Sequence, residues 1–153
     1  MIQTKHEIWH KLKEQGAEAE EQVQLLYSDI HNDNTVRIQT AKNYKKMRYD
    51  IKTEQGRKIE VKNDIRAMIT GNIYIEMYDK NRQPSGLNIT NSTLHVIKAD
   101  NVFYEISTAL LKEKIKNGRY YLYEKYGYNG IGAGYIIPLR IFKKYATHKA
   151  SFI

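Results

Sequence analysis

Apolar residues change their spacing along the 153-residue chain, and each change predicts a different element. In AEAEEQVQLLYSDIHND, Ala19, Val23, Leu26, Tyr27 and Ile30 recur three and four residues apart, as on one face of a helix. The Asn-Asp-Asn run at 32–34 ends that pattern. A shorter amphipathic stretch over 5–15 predicts a helix of its own, with Gly16 opening the second. From about 44 to 78 the spacing drops to two. YKKMRYDIKT and RKIEVKN flank a short loop, NIYIEMY follows Gly71, and all three predict strands. QPSGLNITNS (83–92) predicts a turn leading into a short helix, and LHVIKADNVFYEI (94–106) a hairpin across Ala99-Asp100-Asn101. Ser107 or Thr108 can cap a helix ALLKEKIKN that Gly118 closes. RYYLYEKY and GYIIPLRIF predict further strands. The order of helix, three strands, helix, strands and helix predicts one domain of the α/β or α+β class.

Composition narrows the picture. With 41% hydrophobic and 27% charged residues the chain can fold around a core. No apolar run is long enough to span a bilayer, and the first residues carry no signal-peptide core, so no membrane association is expected. The absence of cysteine excludes disulfides and thiolate metal sites and suits a cytoplasmic protein. A formal charge of +8 points to a polyanionic partner, most naturally nucleic acid. Two basic segments interleave with tyrosines: AKNYKKMR (41–48), carrying Lys42, Lys45, Lys46 and Arg48, and FKKYATHK (142–149), carrying Lys143 and Lys144. These, with Tyr44, Tyr128 and Tyr145, are the expected grip on a phosphate backbone. The alternative is an ordinary solvated surface of lysines over half-buried tyrosines.

Two motifs suggest other chemistry. HEIWH (6–10) matches the HExxH pattern of zinc peptidases. On a helical wheel, however, Ile8, Trp9 and Leu12 cluster on one side and His6 and His10 fall on the other, away from the surface that could dock the helix. Asp29 and Asp33 are the nearest acids for a third ligand, in or beyond the next helix. A solvent-facing histidine pair is the better account. GYNGIGAG (127–134) lacks the Lys-Ser/Thr of a phosphate loop and leads into an apolar strand, so a flexible or tightly turned loop is expected.

The sharper signal is RYDIKTEQGRKIEVKND (48–64). If Glu54-Gln55-Gly56 form a three-residue hairpin loop with Gly56 left-handed, Thr53 faces Arg57, Ile51 faces Ile59, and Asp50 faces Glu60. Alternation then puts Tyr49, Ile51, Ile59 and Val61 on one face and Asp50, Glu60 and Lys62 on the other. Opposed carboxylates repel, and a divalent cation between them reverses the sign of the interaction. Hard oxygen ligands favour Mg²⁺ or Mn²⁺. Lys62 can hold a water or a phosphate oxygen beside the ion, which completes the minimum for phosphodiester hydrolysis. Glu20, at the border of the helix's apolar stripe, is placed to look across at the sheet. The alternative is a solvated hairpin face with alternating charges.

Asp50 followed by Glu60-Val61-Lys62 on a hairpin, after an N-terminal helix opening GAEAEE, resembles the PD-(D/E)XK nuclease superfamily, including its Holliday-junction-resolvase-like members. TGNIYIEM and PSGLNIT resemble segments of phage-type members. The resemblance covers roughly 16–115. It implies a restriction-endonuclease-like αβββαβ core, a mixed central sheet flanked by helices. Residues 1–15 would then be a helical extension and 116–153 C-terminal strands with a basic tail, all within one domain. It also implies that Asp50, Glu60 and the Val61 carbonyl bind Mg²⁺ or Mn²⁺, that Lys62 positions the attacking water, and that Glu20 joins through water or as a further ligand. Tyr49 stands where the superfamily's proline would be, and Glu76 is a candidate for an outer role only. The implied activity is a DNA endonuclease selective for structure more than for sequence. The alternative is a catalytically inactive nucleic-acid-binding module of the same fold. Many members act as homodimers, and a phage-type member would work in the host cytoplasm.

Overall fold

The computed structural model of the chain describes residues 5–30, 32–38 and 41–151. In chain order these form α1 (Lys5–Leu25), a π-helical turn (Leu26–Ile30), β1 (Thr35–Arg37), α2 (Ala41–Met47), β2 (Ile51–Thr53) and β3 (Lys58–Asn63). There follow α3 (Ala67–Thr70), β4 (Asn72–Tyr78), a 3₁₀ turn (Gly86–Asn88), β5 (Leu94–Ala99) and β6 (Val102–Ser107). The last elements are α4 (Thr108–Asn117), β7 (Tyr121–Lys125), β8 (Gly132–Pro138), α5 (Leu139–Tyr145) and β9 (His148–Ser151). The protein is thus mixed α and β, as expected.

Six strands form one sheet in the order β1-β2-β3-β5-β6-β9, and three form a second in the order β4-β8-β7. All neighbours are antiparallel except β3 and β5, which makes the larger sheet mixed. A parallel pair needs a crossover. Here the crossover carries α3, β4 and the 3₁₀ turn. One face of the large sheet lies under α1, where Ala19, Val23, Leu26 and Tyr27 bury against Ile51, Ile59, Val61, Val96 and Phe103. On the other face Ile97, Tyr104 and Ile106 pack with Ile73, Ile75 and Ile137 of the second sheet, and Leu111 of α4 and Phe142 of α5 close that layer. Among the described residues no helix is long and apolar enough to cross a membrane.

Several expectations are corrected. Residues 5–15 and the following helix are one continuous α1. An interior glycine costs about 1 kcal/mol, less than burying Ala19, Val23 and the two residues beyond them returns. Residues 41–47 are helix, which takes in 44–47, the start of an expected strand; Ala, Lys and Met favour it, and the lysines stay in water. β4 is a strand as predicted but leaves the hairpin's sheet to pair with β8. Beyond Pro138 the chain turns into α5 instead of continuing as strand, since proline donates nothing to a ladder and its fixed φ suits a helix start. The edge strands β1 and β9, three and four residues long, leave no periodic signal.

Candidate active site

The hairpin expected to carry the chemistry is present, with the predicted register over Ile51↔Ile59 and Lys52↔Lys58. Its loop turns as expected: the Gly56 N–H donates to the Thr53 carbonyl at 3.0 Å, and Gly56 takes φ +86°. Asp33, fully buried, secures the loop by accepting from the Gln55 N–H at 3.0 Å and from Arg57 at 2.9 Å. Of the two acids nearest for a zinc reading, Asp33 is thus committed elsewhere. The side chains of His6 and His10 lie outside the described residues.

Past Ile51 the ladder departs from expectation. The Asp50 N–H donates to the Ile59 carbonyl at 2.9 Å, one residue out of step, as in a β-bulge. The Val61 N–H turns instead to Asp50 Oδ2, at 2.7 Å. Asp50 therefore does not stand in regular cross-strand pairing with Glu60. The slip re-aims its carboxyl while keeping it in the electrostatic field of Glu60. Val61 contributes its N–H and an apolar side chain that packs under α1.

Glu60 is 3% exposed and Asp50 8%. Tyr44 of α2 donates its hydroxyl to Glu60 Oε1 at 2.9 Å, and Lys62 Nζ lies 3.4 Å from the same oxygen. Glu60 Oε2 is buried with no hydrogen-bond partner. Burial raises the Glu60 pKa to about 7 against the pull of Lys62, with Asp50 adding to the rise. Burial likewise brings Asp50 to about 6, opposed by the Val61 N–H and reinforced by Glu20. Glu20, from α1, lies in hydrogen-bonding reach of Asp50 with Arg37 Nε 3.6 Å away. Burial outweighs that guanidinium, so its pKa is raised too. Desolvation pulls the Lys62 ammonium down, but Glu60, Glu76 and Asp50 together push it above the ordinary lysine value. Lys62 is thus held as a cation beside three carboxyls.

Glu20, Asp50, Glu60 and Lys62 therefore come together, and Glu76 of β4 faces Lys62 closely enough to be felt. Lys42, Lys45 and Lys46 are exposed on α2, the helix that supplies Tyr44 to the site. Arg48 is half-buried at φ +61°, its carbonyl accepting from the Asn91 N–H. Lys143 and Lys144 are exposed on α5, whose main neighbours are β4 and β8. Tyr145 is engaged internally: its hydroxyl is 2.6 Å from that of Tyr120, and Lys114 Nζ sits 4.9 Å over its ring. Tyr128 is 91% exposed.

Two residues at the site escaped sequence reasoning. Tyr44, expected to grip a phosphate backbone, also donates its hydroxyl to Glu60. His95, the parallel neighbour of Glu60 in register, is buried with Nδ1 2.8 Å from Thr108 Oγ1. Desolvation, with Lys62 and Lys112 nearby, lowers its pKa to about 3, so it stays neutral. Its alternation with Val96 marks the strand face it shares with Glu60, and that was the available signal.

The donor chemistry fits a hard divalent cation: oxygen ligands, two of them on buried carboxyls, and one buried oxygen without a partner. Among the described residues no group of three or more His, Cys, Asp or Glu side chains is gathered closely enough to hold a metal ion by itself. Asp50 and Glu60 are thus the pair to consider, with Glu20 beside them. No protein-family model matches the chain, and no curated protein matches it.

Proposed function

We propose that the protein is a Mg²⁺- or Mn²⁺-dependent DNA endonuclease of the PD-(D/E)XK type. The observation that carries this reading is the buried, unpartnered Oε2 of Glu60 in a cluster that also holds Asp50, Glu20 and the Lys62 ammonium. A buried oxygen left without a partner is costly in any fold. The helix before β1-β2-β3, and β5 parallel to β3, support the core arrangement that the family resemblance implies. The short helix expected within 83–92, between those strands, is reduced to the 3₁₀ turn Gly86–Asn88.

In this reading Asp50 and Glu60 would hold the ion, with Glu20 alongside. Bound there, it would supply Lewis acidity and positive charge at the scissile phosphate. Lys62 keeps its proton, so it acts as a hydrogen-bond donor to the attacking water or to a non-bridging phosphate oxygen. Tyr44 and the Val61 N–H fix the orientation of the two carboxyls. The reaction forms a bond from water oxygen to phosphorus and breaks the bond from phosphorus to the 3′-oxygen. The water loses a proton, the leaving oxygen gains one, and a 5′-phosphate remains. Lys42, Lys45 and Lys46, on the helix that reaches the site, supply backbone contacts.

One observation favours the second reading, a binding module that does not cut: Tyr44 and Lys62 already satisfy Oε1 of Glu60 from within the chain. A nicking assay on supercoiled and branched DNA separates the two. Nicking in Mg²⁺ or Mn²⁺, abolished by EDTA and reduced at least about a thousandfold in Lys62→Ala, is expected. Binding without nicking under every condition sinks the nuclease and leaves the module.

A further inference from the structure

Away from the carboxyls, two loops at one end of the second sheet form a joined platform. The Gly127 N–H donates to the Lys80 carbonyl at 2.9 Å, tying the loop after β7 to the loop after β4. At Gly132, where φ is +97°, a Cβ would meet the Tyr78 carbonyl oxygen at 2.1 Å, so only glycine lets the loops approach this closely. Asp79 Oδ1 accepts from the N–H groups of Asn81 (2.8 Å) and Gln83 (3.0 Å), so its carboxylate is spent on the turn. The loop that GYNGIGAG forms is therefore tightly turned.

The platform's exposed chemistry is cationic and aromatic. The Arg82 guanidinium lies 4.0 Å over the Tyr126 ring, and with Lys80, Asn81 and Gly127 they line a groove of ≈ 370 Å³. Lys80, Arg82 and Lys125 are exposed. Tyr128, 91% exposed, stands beside them. Arg82 already covers one face of the Tyr126 ring, which holds the guanidinium at the edge of the groove. A large aromatic so exposed has no packing role in the chain. Cations that track phosphates beside rings that stack on bases are how proteins hold unpaired nucleic acid.

We infer that this two-loop platform binds an unpaired stretch of the nucleic acid, with a base on Tyr128 and phosphates on Lys80, Arg82 and Lys125. The placement rests on the nuclease reading. Asp79 follows Glu76, whose charge is felt at Lys62, by three residues, at most about 10 Å of chain across the bulge that ends β4. That is well inside one duplex turn of roughly 34 Å, so a strand cut at the carboxyls can reach the platform where the duplex opens. The preferred substrate class is then branched or frayed DNA.

The test is fluorescence anisotropy in EDTA, where cleavage is silent, with single-stranded and blunt duplex oligonucleotides. Tyr128→Ala is expected to weaken single-strand binding about tenfold and leave duplex binding unchanged. Lys80→Ala/Lys125→Ala is expected to lower the slope of log affinity against log salt by about 1.4. Unchanged single-strand binding in both platform variants overturns the inference. So does equal loss on single strand and duplex, or a polyglutamate peptide that binds as tightly and depends on Tyr128. Platform-dependent binding without nicking in either Mg²⁺ or Mn²⁺ sinks only the nuclease reading; nicking with platform-independent binding sinks only this one.

Discussion

The β2–β3 and β5–β6 hairpins lie side by side in one sheet and are built on different terms. β5 and β6 pair over six consecutive positions, from Leu94↔Ser107 to Ala99↔Val102. Asp100 and Asn101 supply the two left-handed residues that a tight hairpin turn requires, at φ +53° and +60°. The buried side chains of that hairpin are apolar apart from the neutral His95, while the half-buried Lys98 and Glu105 are each matched, Lys98 by Gln22 and Glu105 by the Tyr27 hydroxyl that donates to it. β2 and β3 keep register over two positions, slip at Asp50, and bury two carboxyls. Local pattern, turn chemistry and packing agree in the first hairpin and conflict in the second. Such conflict, held in place by well-packed surroundings, is where function is to be sought.

The contrast can be broken or sharpened by substitution. The largest stability effect belongs to the consistent hairpin. Ile106→Ala removes a side chain with no exposure, and a loss of about 2–5 kcal/mol by urea denaturation is expected. A loss below about 1 kcal/mol would show that this hairpin is not the better packed of the two.

In the other hairpin a buried side chain should gain by losing its charge. The Glu60 pKa, about 7 in the fold, is above its unfolded value, so the unfolded chain ionises first as pH rises. Stability from this group is complete below about pH 4, falls through the window up to about 7, and is flat beyond. His95, lowered to about 3, works oppositely below its unfolded pKa near 6.5, so the clean measurement is a difference. Glu60→Gln should match the parent near pH 4 and exceed it by about 1–2 kcal/mol at pH 8 without divalent ions. That corresponds to a melting temperature higher by about 3–6 °C. A difference that does not grow with pH contradicts the burial account. Smallest is Ser107→Ala, at the junction of β6 and α4. The Ser107 hydroxyl accepts from the Leu110 N–H, and its loss should cost about 1 kcal/mol at any pH between 5 and 8.

What could be read in the sequence follows the same division. Gly56, Asp100-Asn101 and the Ser107 cap are local signals, and each does what its chemistry requires. Glu60 and Lys62 alternate with Ile59 and Val61, so their shared face could be read from period two alone. The slip at Asp50 could not, because a bulge leaves no mark in the pattern of apolar residues. Pairing of β4 with β8 joins segments far apart in the chain, and no local preference encodes it. The contact of Tyr44 with Glu60 is illegible for a related reason: it depends on α2 being a helix that folds back over the hairpin. The lysines and the single tyrosine in AKNYKKM fit either period.

Gly132 bears on how this protein can vary. Its neighbours at the loop tips face solvent, and Tyr128 could be exchanged for almost any residue without disturbing the packed layers. Gly132 has no such freedom, because every other residue would drive the start of β8 off the end of β4. In a library screened for folding alone, diversity should collect at the tip and vanish at the glycine, leaving the scaffold fixed and its outer contacts open to retuning.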